Sequence, residues 1–157
     1  MGNKIVVGIS DLKVAKDPDT IISYALGSCV GICLYDKVNK VAGLSHILLP
    51  YSDASKEISN PMKFADTAIE ILVRQMVQAG GKQTFLTAKI AGGANMFGWE
   101  GETVGDKNVT SVCNELKRLR IPLLASDVGL NYGRTVSIDA TDGSVTIKAL
   151  TKDSKVI

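Results

Sequence analysis

The sequence predicts an α+β fold, an α/β sandwich in which two main helices pack on a mixed, largely antiparallel sheet. Two segments, 60–81 and 108–120, carry apolar residues at the three- and four-residue spacing of amphipathic helices. Several shorter stretches are rich in β-branched and aliphatic residues and are bounded by turn-forming residues, as is typical of strands. Some of these stretches are separated by so few residues that they must form hairpins, which favours antiparallel pairing.

The first strands are expected near the N-terminus. KIVVGI over 4–9 predicts a strand, DPD over 17–19 predicts a turn, and TIISYAL over 20–26 predicts a second strand.

A hairpin follows these strands. CVGICLYD over 29–36 and VAGLSHILL over 41–49 flank the short polar stretch 36–39 and predict its two arms. Pro50 ends the second arm because proline lacks the N–H that a strand ladder requires.

The strongest helix signal lies over 60–81. Asn60 can cap the helix, Pro61 suits the first helical position, and Gly80 with Gly81 closes it. One face of this helix is expected to pack inward, and its apolar residues are Phe64, Ala65, Ala68, Ile69, Leu72, Val73, Met76 and Val77.

The C-terminal half predicts one more helix and several strands. A strand that runs into a glycine-rich turn is expected over 84–97, and strands are expected over 121–129, 133–140 and 144–150. The turn Thr141-Asp142-Gly143 joins the last two. The apolar side of the helix over 108–120 consists of Val109, Val112, Cys113, Leu116 and Leu119.

Length and composition indicate an ordinary globular protein. A chain of 157 residues suits one domain over 1–157, with 45% hydrophobic and 22% charged residues. The net charge is +2, with acids and bases mixed along the chain, so no basic face for nucleic acid or an anionic membrane is expected. No signal peptide and no apolar run of about 18 residues is present, so we expect a cytoplasmic protein without membrane insertion.

The three cysteines do not predict a metal site or a disulfide framework. Cys29, Cys33 and Cys113 are an odd number, which fits a reducing compartment, and no CxxC or HxxxH spacing accompanies them. The glycine-rich stretch 91–105 matches neither common phosphate-binding pattern, so no nucleotide cofactor is expected. Phe97 and Trp99 within this stretch fit either a partner surface or the core.

The predicted hairpin brings a thiol and the chain's one histidine together. If 36–39 forms the loop, Tyr35 pairs with Lys40 and Cys29 lies directly opposite His46, on the same face of the sheet. An imidazole beside a thiol can accept its proton and so activate it as a nucleophile. Close approach of the chain at Gly27 would let backbone N–H groups there stabilise an oxyanion. The alternative is structural: Cys29 as a small buried hydrophobe and His46 as a core histidine. Cys33, near the loop end, and Cys113, on the apolar side of its helix, are expected to serve packing in either case.

Several motifs in a consistent order resemble the CheD family of chemoreceptor glutamine deamidases. They are LGSCVGICLYD, AGLSHILLP, KFADTAIEIL, AKIAGGANMF, VGDKNV and DVGLNYGRTV, and they extend from about Ile5 to Ile147. The resemblance implies a sandwich fold related to the catalytic domain of the cytotoxic necrotizing factor toxins. It also implies a cysteine-dependent amidohydrolase that converts receptor glutamines to glutamates through a thioester.

The resemblance assigns roles to individual residues. Cys29 corresponds to the nucleophile, His46 to the base, and Ser23 occupies the position of the family's catalytic threonine. The place of Gly27 and Ser28 directly before Cys29, rather than the resemblance, makes their N–H groups the expected oxyanion donors. Three further departures from the family pattern are Ala25 and Leu130, both at positions of glycine, and Lys107, at a position of arginine.

The resemblance also implies partners. Methyl-accepting chemotaxis receptors would be the substrates, and a CheC-type phosphatase, tuned by phosphorylated CheY, would bind the protein; no cofactor is implied. Three alternatives remain open. One is a regulatory module that binds the CheC-type phosphatase with weak or no catalysis, the second is another cysteine hydrolase, transglutaminase-like or esterase-like, and the third is a purely structural domain.

Overall fold

The computed structural model describes residues 2–53, 56, 58–149 and 153–157. The strands are β1 (Lys4–Val6), β2 (Asp11–Lys16), β3 (Thr20–Leu26), β4 (Val30–Asp36), β5 (Val41–Ile47), β6 (Leu86–Gly92), β7 (Leu123–Val128), β8 (Arg134–Asp139), β9 (Val145–Ala149) and β10 (Lys155–Val156). The helices are α1 (Ala65–Gln78) and α2 (Val104–Arg118), with 3₁₀ turns at Pro61–Lys63 and Gln83–Phe85.

The strands form two five-stranded sheets. The first sheet has the order β1-β3-β8-β9-β10 and the second has the order β2-β5-β4-β6-β7. All neighbouring strands are antiparallel except two pairs, β1 with β3 and β6 with β7, which are parallel. The α+β class and the largely antiparallel pairing are therefore confirmed, with the strands divided between two sheets.

The second sheet lies in the middle of the molecule. One of its faces packs on the first sheet through residues such as Cys33 and Leu44, and the other packs on both helices through residues such as Ile32 and Leu34. Every residue of β4 and β5 is consequently buried. Burial on both faces explains why the sequence of this hairpin shows a continuous run of apolar and small residues rather than alternation.

The segment predicted as one helix over 60–81 forms a 3₁₀ turn followed by α1. The Asn60 side chain caps the 3₁₀ turn by accepting a hydrogen bond of 3.0 Å from the N–H of Met62. The helix packs closely on the second sheet at Gly43, where a Cβ would lie only 2.8 Å from both Leu72 and Met76. Most of the predicted inward face is buried, whereas Val77 is exposed.

Helix α2 begins four residues before its predicted start. Thr103 and Asp106 form a reciprocal capping box, with Thr103 Oγ1 accepting from the N–H of Asp106 and the Asp106 carboxylate accepting from the N–H of Thr103. Gly105, in the first turn, lies so close to Gly93 that a Cβ would come within 2.5 Å of the Gly93 carbonyl oxygen. Glycine is therefore required here for packing, although as a poor helix former it obscured the helix in the sequence.

The strand predictions and the structure differ at the first strand and in the number of strands. The first strand ends at Val6 rather than residue 9, β2 and β10 were not predicted, and Leu150 of the predicted strand 144–150 lies outside the described residues. Strand β2 lies at the edge of the second sheet, paired along its whole length with β5. Its sequence DLKVAK does not alternate regularly, because Val14 and Ala15 are adjacent apolar residues that pack on opposite faces of the sheet.

Candidate active site

The predicted register of the central hairpin is wrong by two residues. The loop is 37–40, Asp36 pairs with Val41, and Gly31 rather than Cys29 lies opposite His46. Asp36 stays in the strand because its Oδ1 accepts 2.9 Å hydrogen bonds from the N–H groups of Val38 and Asn39, which starts the turn one residue later. Direct opposition of Cys29 and His46 is therefore excluded.

A shift of two residues preserves the face on which a side chain lies, because side chains alternate with a period of two. Cys29, just before β4, belongs to the cluster packed between the two sheets, and His46 contacts β3 of the first sheet. The two residues are thus diagonal neighbours on one face. Diagonal positions in a regular ladder are about 7–8 Å apart, so pairing alone does not bring the sulfur to the imidazole.

Ser23 and the backbone of Val7 orient the imidazole. Ser23 Oγ lies 2.7 Å from His46 Nδ1 and 2.7 Å from the carbonyl oxygen of Val7. The carbonyl can only accept, so the single hydroxyl proton of Ser23 goes to Val7 and Ser23 Oγ accepts from Nδ1–H. This network assigns the proton of a neutral imidazole to Nδ1 and leaves the lone pair on Nε2.

The other ring nitrogen, Nε2, carries a lone pair. Nε2 of His46 is buried and has no hydrogen-bond partner among the described residues. The side chain is only 3% exposed, and burial lowers the pKa of His46 to about 4. The imidazole is therefore neutral at neutral pH, as a general base must be.

Cys29 is a free thiol at the edge of the buried region. It is 6% exposed, and burial raises the pKa of its thiol, an effect partly offset by a hydrogen bond from its own N–H. Cys33 is fully enclosed, and burial raises its pKa to about 12, so its thiol is unreactive. Cys113 is partly buried against the cluster beneath the helices. The packing role predicted for Cys33 is confirmed.

The residues before Cys29 form a loop that is held by its carbonyl groups. The carbonyl oxygen of Gly27 accepts from the N–H of Ala94 at 2.9 Å, and that of Cys29 accepts from the N–H of Gly93 at 2.8 Å. Within the described chain, the N–H groups of Gly27 and Ser28 donate to no acceptor. Free N–H groups beside Cys29 are compatible with the oxyanion role predicted for these two residues, which stays a prediction.

Two of the departures from the family pattern occupy strained backbone positions. Ala25, at an irregularity in the pairing of β3 with β8, has φ 58°, and Leu130 has φ 59°. Glycine adopts this left-handed region without steric cost, whereas residues with a Cβ do not. This geometry suits the glycine that the resemblance leads us to expect at both positions, and this chain accepts the strain with a larger residue.

Sequence reasoning missed two buried polar side chains near the site. Asn108 of α2 donates to the carbonyl oxygens of Ser28 (2.9 Å) and Leu48 (3.1 Å). Arg134 of β8, fully buried, donates to the carbonyl oxygens of Gly92 and Gly129, among others, and pairs with Asp127 at 3.1 Å. Asn108 could have been noticed in the sequence, because it lies four and eight residues before Val112 and Leu116 on the apolar face of its helix.

An apolar depression of about 370 Å³ adjoins Ser28 and is lined largely by residues 94–105. Phe97 and Trp99 are 86% and 70% exposed at this position, which decides between the two sequence-based interpretations in favour of surface. The Asn95 side chain holds this turn by a 2.7 Å hydrogen bond to the carbonyl oxygen of Trp99 and a 3.1 Å bond from its N–H. Large exposed aromatic groups in an ordered turn are typical of surfaces that bind another protein.

Metal ligands and membrane-spanning helices are the next features that bear on the kind of site. In the described part of the chain, no group of three or more histidine, cysteine or acidic side chains converges in a way that could hold a metal ion. Neither α1 nor α2 has the length and apolar character to cross a bilayer, as judged over the described ranges.

Comparison with known proteins places the chain in a family. Residues 48–149 match the family model described as CheD chemotactic sensory transduction. The chain is 48% identical, over 158 aligned positions and 98% of each chain, to the "Probable chemoreceptor glutamine deamidase CheD" of Clostridium botulinum strain Hall. It is 44% identical, over 161 positions and the full length of both chains, to the protein of the same name from Desulfitobacterium hafniense.

A solved structure shows a similar fold. The crystal structure of the Bacillus licheniformis hypothetical protein YfiH aligns with a TM-score of 0.52 and 13% identity. The alignment covers 77% of this chain and 51% of that one, so the chain spans about half the length of YfiH. At this identity the likeness extends to the fold alone. The family match and the two relatives, together with motifs that run through both sheets and both helices, show that the chain belongs to the CheD family.

Proposed function

We propose that this chain is a chemoreceptor glutamine deamidase, which hydrolyses glutamine side-chain amides of methyl-accepting chemotaxis receptors to glutamate and releases ammonia. The observation that carries the proposal is the chain of hydrogen bonds from the Val7 carbonyl through Ser23 to His46, which leaves Nε2 with a lone pair on the face that holds Cys29. The names of the curated relatives supply the substrate class.

The first half of the reaction forms a thioester. His46 Nε2 accepts the proton of Cys29 as Sγ attacks the carboxamide carbon of the glutamine. The N–H groups of Gly27 and Ser28 stabilise the negative oxygen of the tetrahedral intermediate. When the carbon–nitrogen bond breaks, the imidazolium returns its proton to the leaving nitrogen and ammonia departs.

The second half regenerates the thiol. Nε2 accepts a proton from water as the water oxygen attacks the thioester carbon. Collapse of the new intermediate expels Sγ, which regains the proton from His46, and glutamate remains. No metal ion or cofactor takes part in either half of this scheme.

Burial determines when the proton moves. It raises the pKa of the Cys29 thiol and lowers that of His46, so the resting pair is a neutral thiol and a neutral imidazole. The thiolate therefore forms during attack rather than as a stable ion pair. The burial that disfavours charge in the resting state also excludes water, which strengthens hydrogen bonds to the developing oxyanion.

Ser23 in place of threonine keeps the interaction on which the base depends. Its hydroxyl lies 2.7 Å from Nδ1 and is fully buried, so the loss of the threonine methyl group does not remove the hydrogen bond. This geometry favours a working enzyme over the alternative of a binding module without catalysis.

The apolar surface of Met96, Phe97 and Trp99 supports a protein substrate. It adjoins Ser28 directly, and its largely exposed aromatic side chains are of the kind that contact another protein. The same surface is also compatible with a regulatory partner such as the CheC-type phosphatase, whose binding stays a prediction.

The test uses a purified receptor cytoplasmic fragment as the substrate. Ammonia release and peptide mass spectrometry should show conversion of particular glutamines to glutamate by the wild-type chain. Cys29→Ala should abolish the conversion, whereas Cys33→Ala, which alters a buried thiol outside the site, should retain it in proportion to the folded protein. Deamidation by Cys29→Ala, or none by the wild type, would refute the proposal.

A further inference from the structure

Helix α2 contributes two buried polar side chains to a helix face that is otherwise apolar. Asn108 and Ser111, one turn apart, are both completely inaccessible to solvent. Asn108 donates to the carbonyl oxygens of Ser28 and Leu48, and Ser111 donates to that of Pro50 at 2.6 Å. Burial of a polar group costs little free energy when the group is hydrogen-bonded, so these bonds explain how both side chains can be buried.

The two partners of Asn108 lie beside the candidate nucleophile and the candidate base. Ser28 directly precedes Cys29, and Leu48 follows His46 by two residues. Both of the amide protons that Asn108 can donate are used, one for each strand end. Its Oδ1 is buried and has no partner among the described residues, so the contribution of this side chain to the site is entirely as a donor.

The strand ladder does not extend to these positions. The last paired residues of β4 and β5 are Val30 and Ile47. Beyond it the chains separate: the N–H groups of Leu48 and Leu49 bond to the Lys63 carbonyl, whereas the Cys29 carbonyl bonds to the glycine-rich turn. In the described residues, the carboxamide of Asn108 is what joins Ser28 to Leu48 across this gap.

We propose that Asn108 is a positioning residue that sets the distance between Cys29 Sγ and His46 Nε2. The proposal rests on the Cys29–His46 pair of the proposed function. Because the two residues are diagonal rather than opposite in the ladder, the location of the Ser28–Cys29 backbone relative to β5 determines whether sulfur and nitrogen meet. Asn108 holds that backbone from a rigid helix, and a misplacement of about 1 Å at a reacting centre can cost about 100-fold in rate.

A reactivity measurement tests this without any receptor. The rate of alkylation by iodoacetamide at neutral pH is measured for Cys29 by peptide mass spectrometry, which separates it from Cys33 and Cys113. The proteins are wild type, Asn108→Ala, His46→Ala and the double variant. We expect Asn108→Ala to slow alkylation of Cys29 by about 10-fold or more in the wild-type background and to have no further effect when His46 is absent.

Ser111→Ala is the matched control. It removes a buried donor from the same helix face one turn away, so it should lower the thermal unfolding temperature as Asn108→Ala does while the Cys29 alkylation rate stays within about twofold of wild type. Asn108→Ser, which retains one donor in a smaller side chain, serves if Asn108→Ala does not fold, and it should slow alkylation in the same His46-dependent way.

Three results would overturn the inference. Equal slowing by Asn108→Ala with and without His46 would show a general loss of structure, and equal slowing by Ser111→Ala would show the same. An alkylation rate that does not depend on His46 in the wild type would leave no pair to position. Because these rates are independent of ammonia release, coupling observed in a chain that deamidates nothing would sustain the inference while refuting the proposed function.

Discussion

Acidification should destabilise this protein through His46, because the folded chain keeps the imidazole where it cannot readily take a proton. Burial lowers the pKa of His46 from its ordinary value of 6.5 to about 4. Between these two pH values the imidazole binds a proton in the unfolded chain but not in the folded chain. The free energy of unfolding should therefore be unaffected by His46 above about pH 6.5 and should fall as the pH falls toward 4.

The size of the effect follows from the two pKa values. A tenfold change in proton affinity corresponds to about 1.4 kcal/mol, so the interval from 6.5 to about 4 corresponds to at most about 3 kcal/mol. Such a loss is a large part of the stability of an ordinary domain, which is about 5–15 kcal/mol. Below about pH 4 both states are protonated and the contribution of His46 becomes constant.

The assay compares urea unfolding of the wild type and His46→Asn at several pH values from 7.5 to 4. The asparagine amide can still donate to Ser23 but cannot titrate, and both proteins carry the same carboxylates, so the difference between the two curves isolates the imidazole. The wild type should lose about 3 kcal/mol more than the variant over this interval. Because His46 is the one histidine of the chain, its NMR titration gives the folded pKa directly.

Two outcomes would refute this reasoning. Parallel stability curves for the wild type and His46→Asn would show that the folded and unfolded chains bind the proton equally. An NMR midpoint near 6.5 would show that the imidazole is accessible to protons, and the acidic limit of any His46-dependent activity would then lie near 6.5 rather than near 4.

Other predictions concern the groups around the site. Ser23→Ala removes the acceptor of Nδ1–H and the donor to the Val7 carbonyl, so kcat for ammonia release should fall about 10- to 100-fold and stability should fall by about 1–3 kcal/mol; an unchanged kcat in the folded variant would exclude a role for the hydroxyl. Gly92, at φ 115°, has no room for a Cβ, which would collide with the carbonyl group of Cys29, so Gly92→Ala should lower both the stability and the rate of Cys29 alkylation. Gly98, at φ 66°, has open space around it, so Gly98→Ala should lower the stability by only about 1 kcal/mol and leave the alkylation rate unchanged. Arg134→Met leaves the Asp127 carboxylate without its buried partner and should cost about 3–5 kcal/mol in urea unfolding; a loss below 1 kcal/mol would show that Lys155, which also contacts this carboxylate, suffices alone.

Local sequence signals predicted most of the secondary structure. The spacing of Ala65, Ala68, Leu72 and Met76 predicts α1 because one helix face meets one apolar surface, and that surface is the second sheet. The start of α2 was predicted late because Gly105 is there for packing against Gly93 and not for helix formation. Strand β2 was missed because three of its six residues are charged and its two adjacent apolar residues, Val14 and Ala15, break the period-two pattern of a strand.

The hairpin register shows where local reasoning fails. Two four-residue loops, 36–39 and 37–40, are both consistent with the sequence, and the difference lies in which N–H groups the Asp36 carboxylate binds. The two registers place the same residues on the same faces, so hydrophobic patterning does not distinguish them. The prediction that Cys29 and His46 lie on the same face of the sheet was therefore correct, and the prediction that they lie directly opposite each other was wrong.

The sequence by itself determined the family, the α+β class, the helix faces and the common face of Cys29 and His46, since each of these depends on residue types at short spacing. The tertiary structure alone decided that β3 and β5 lie in different sheets and that Ser23 of one nevertheless bonds to His46 of the other. It also decided that Asn108 joins the strand ends and that burial lowers the pKa of the imidazole. The physical reason is that hydrogen bonds between distant segments and the loss of water around a charged group arise only when the packed layers enclose them.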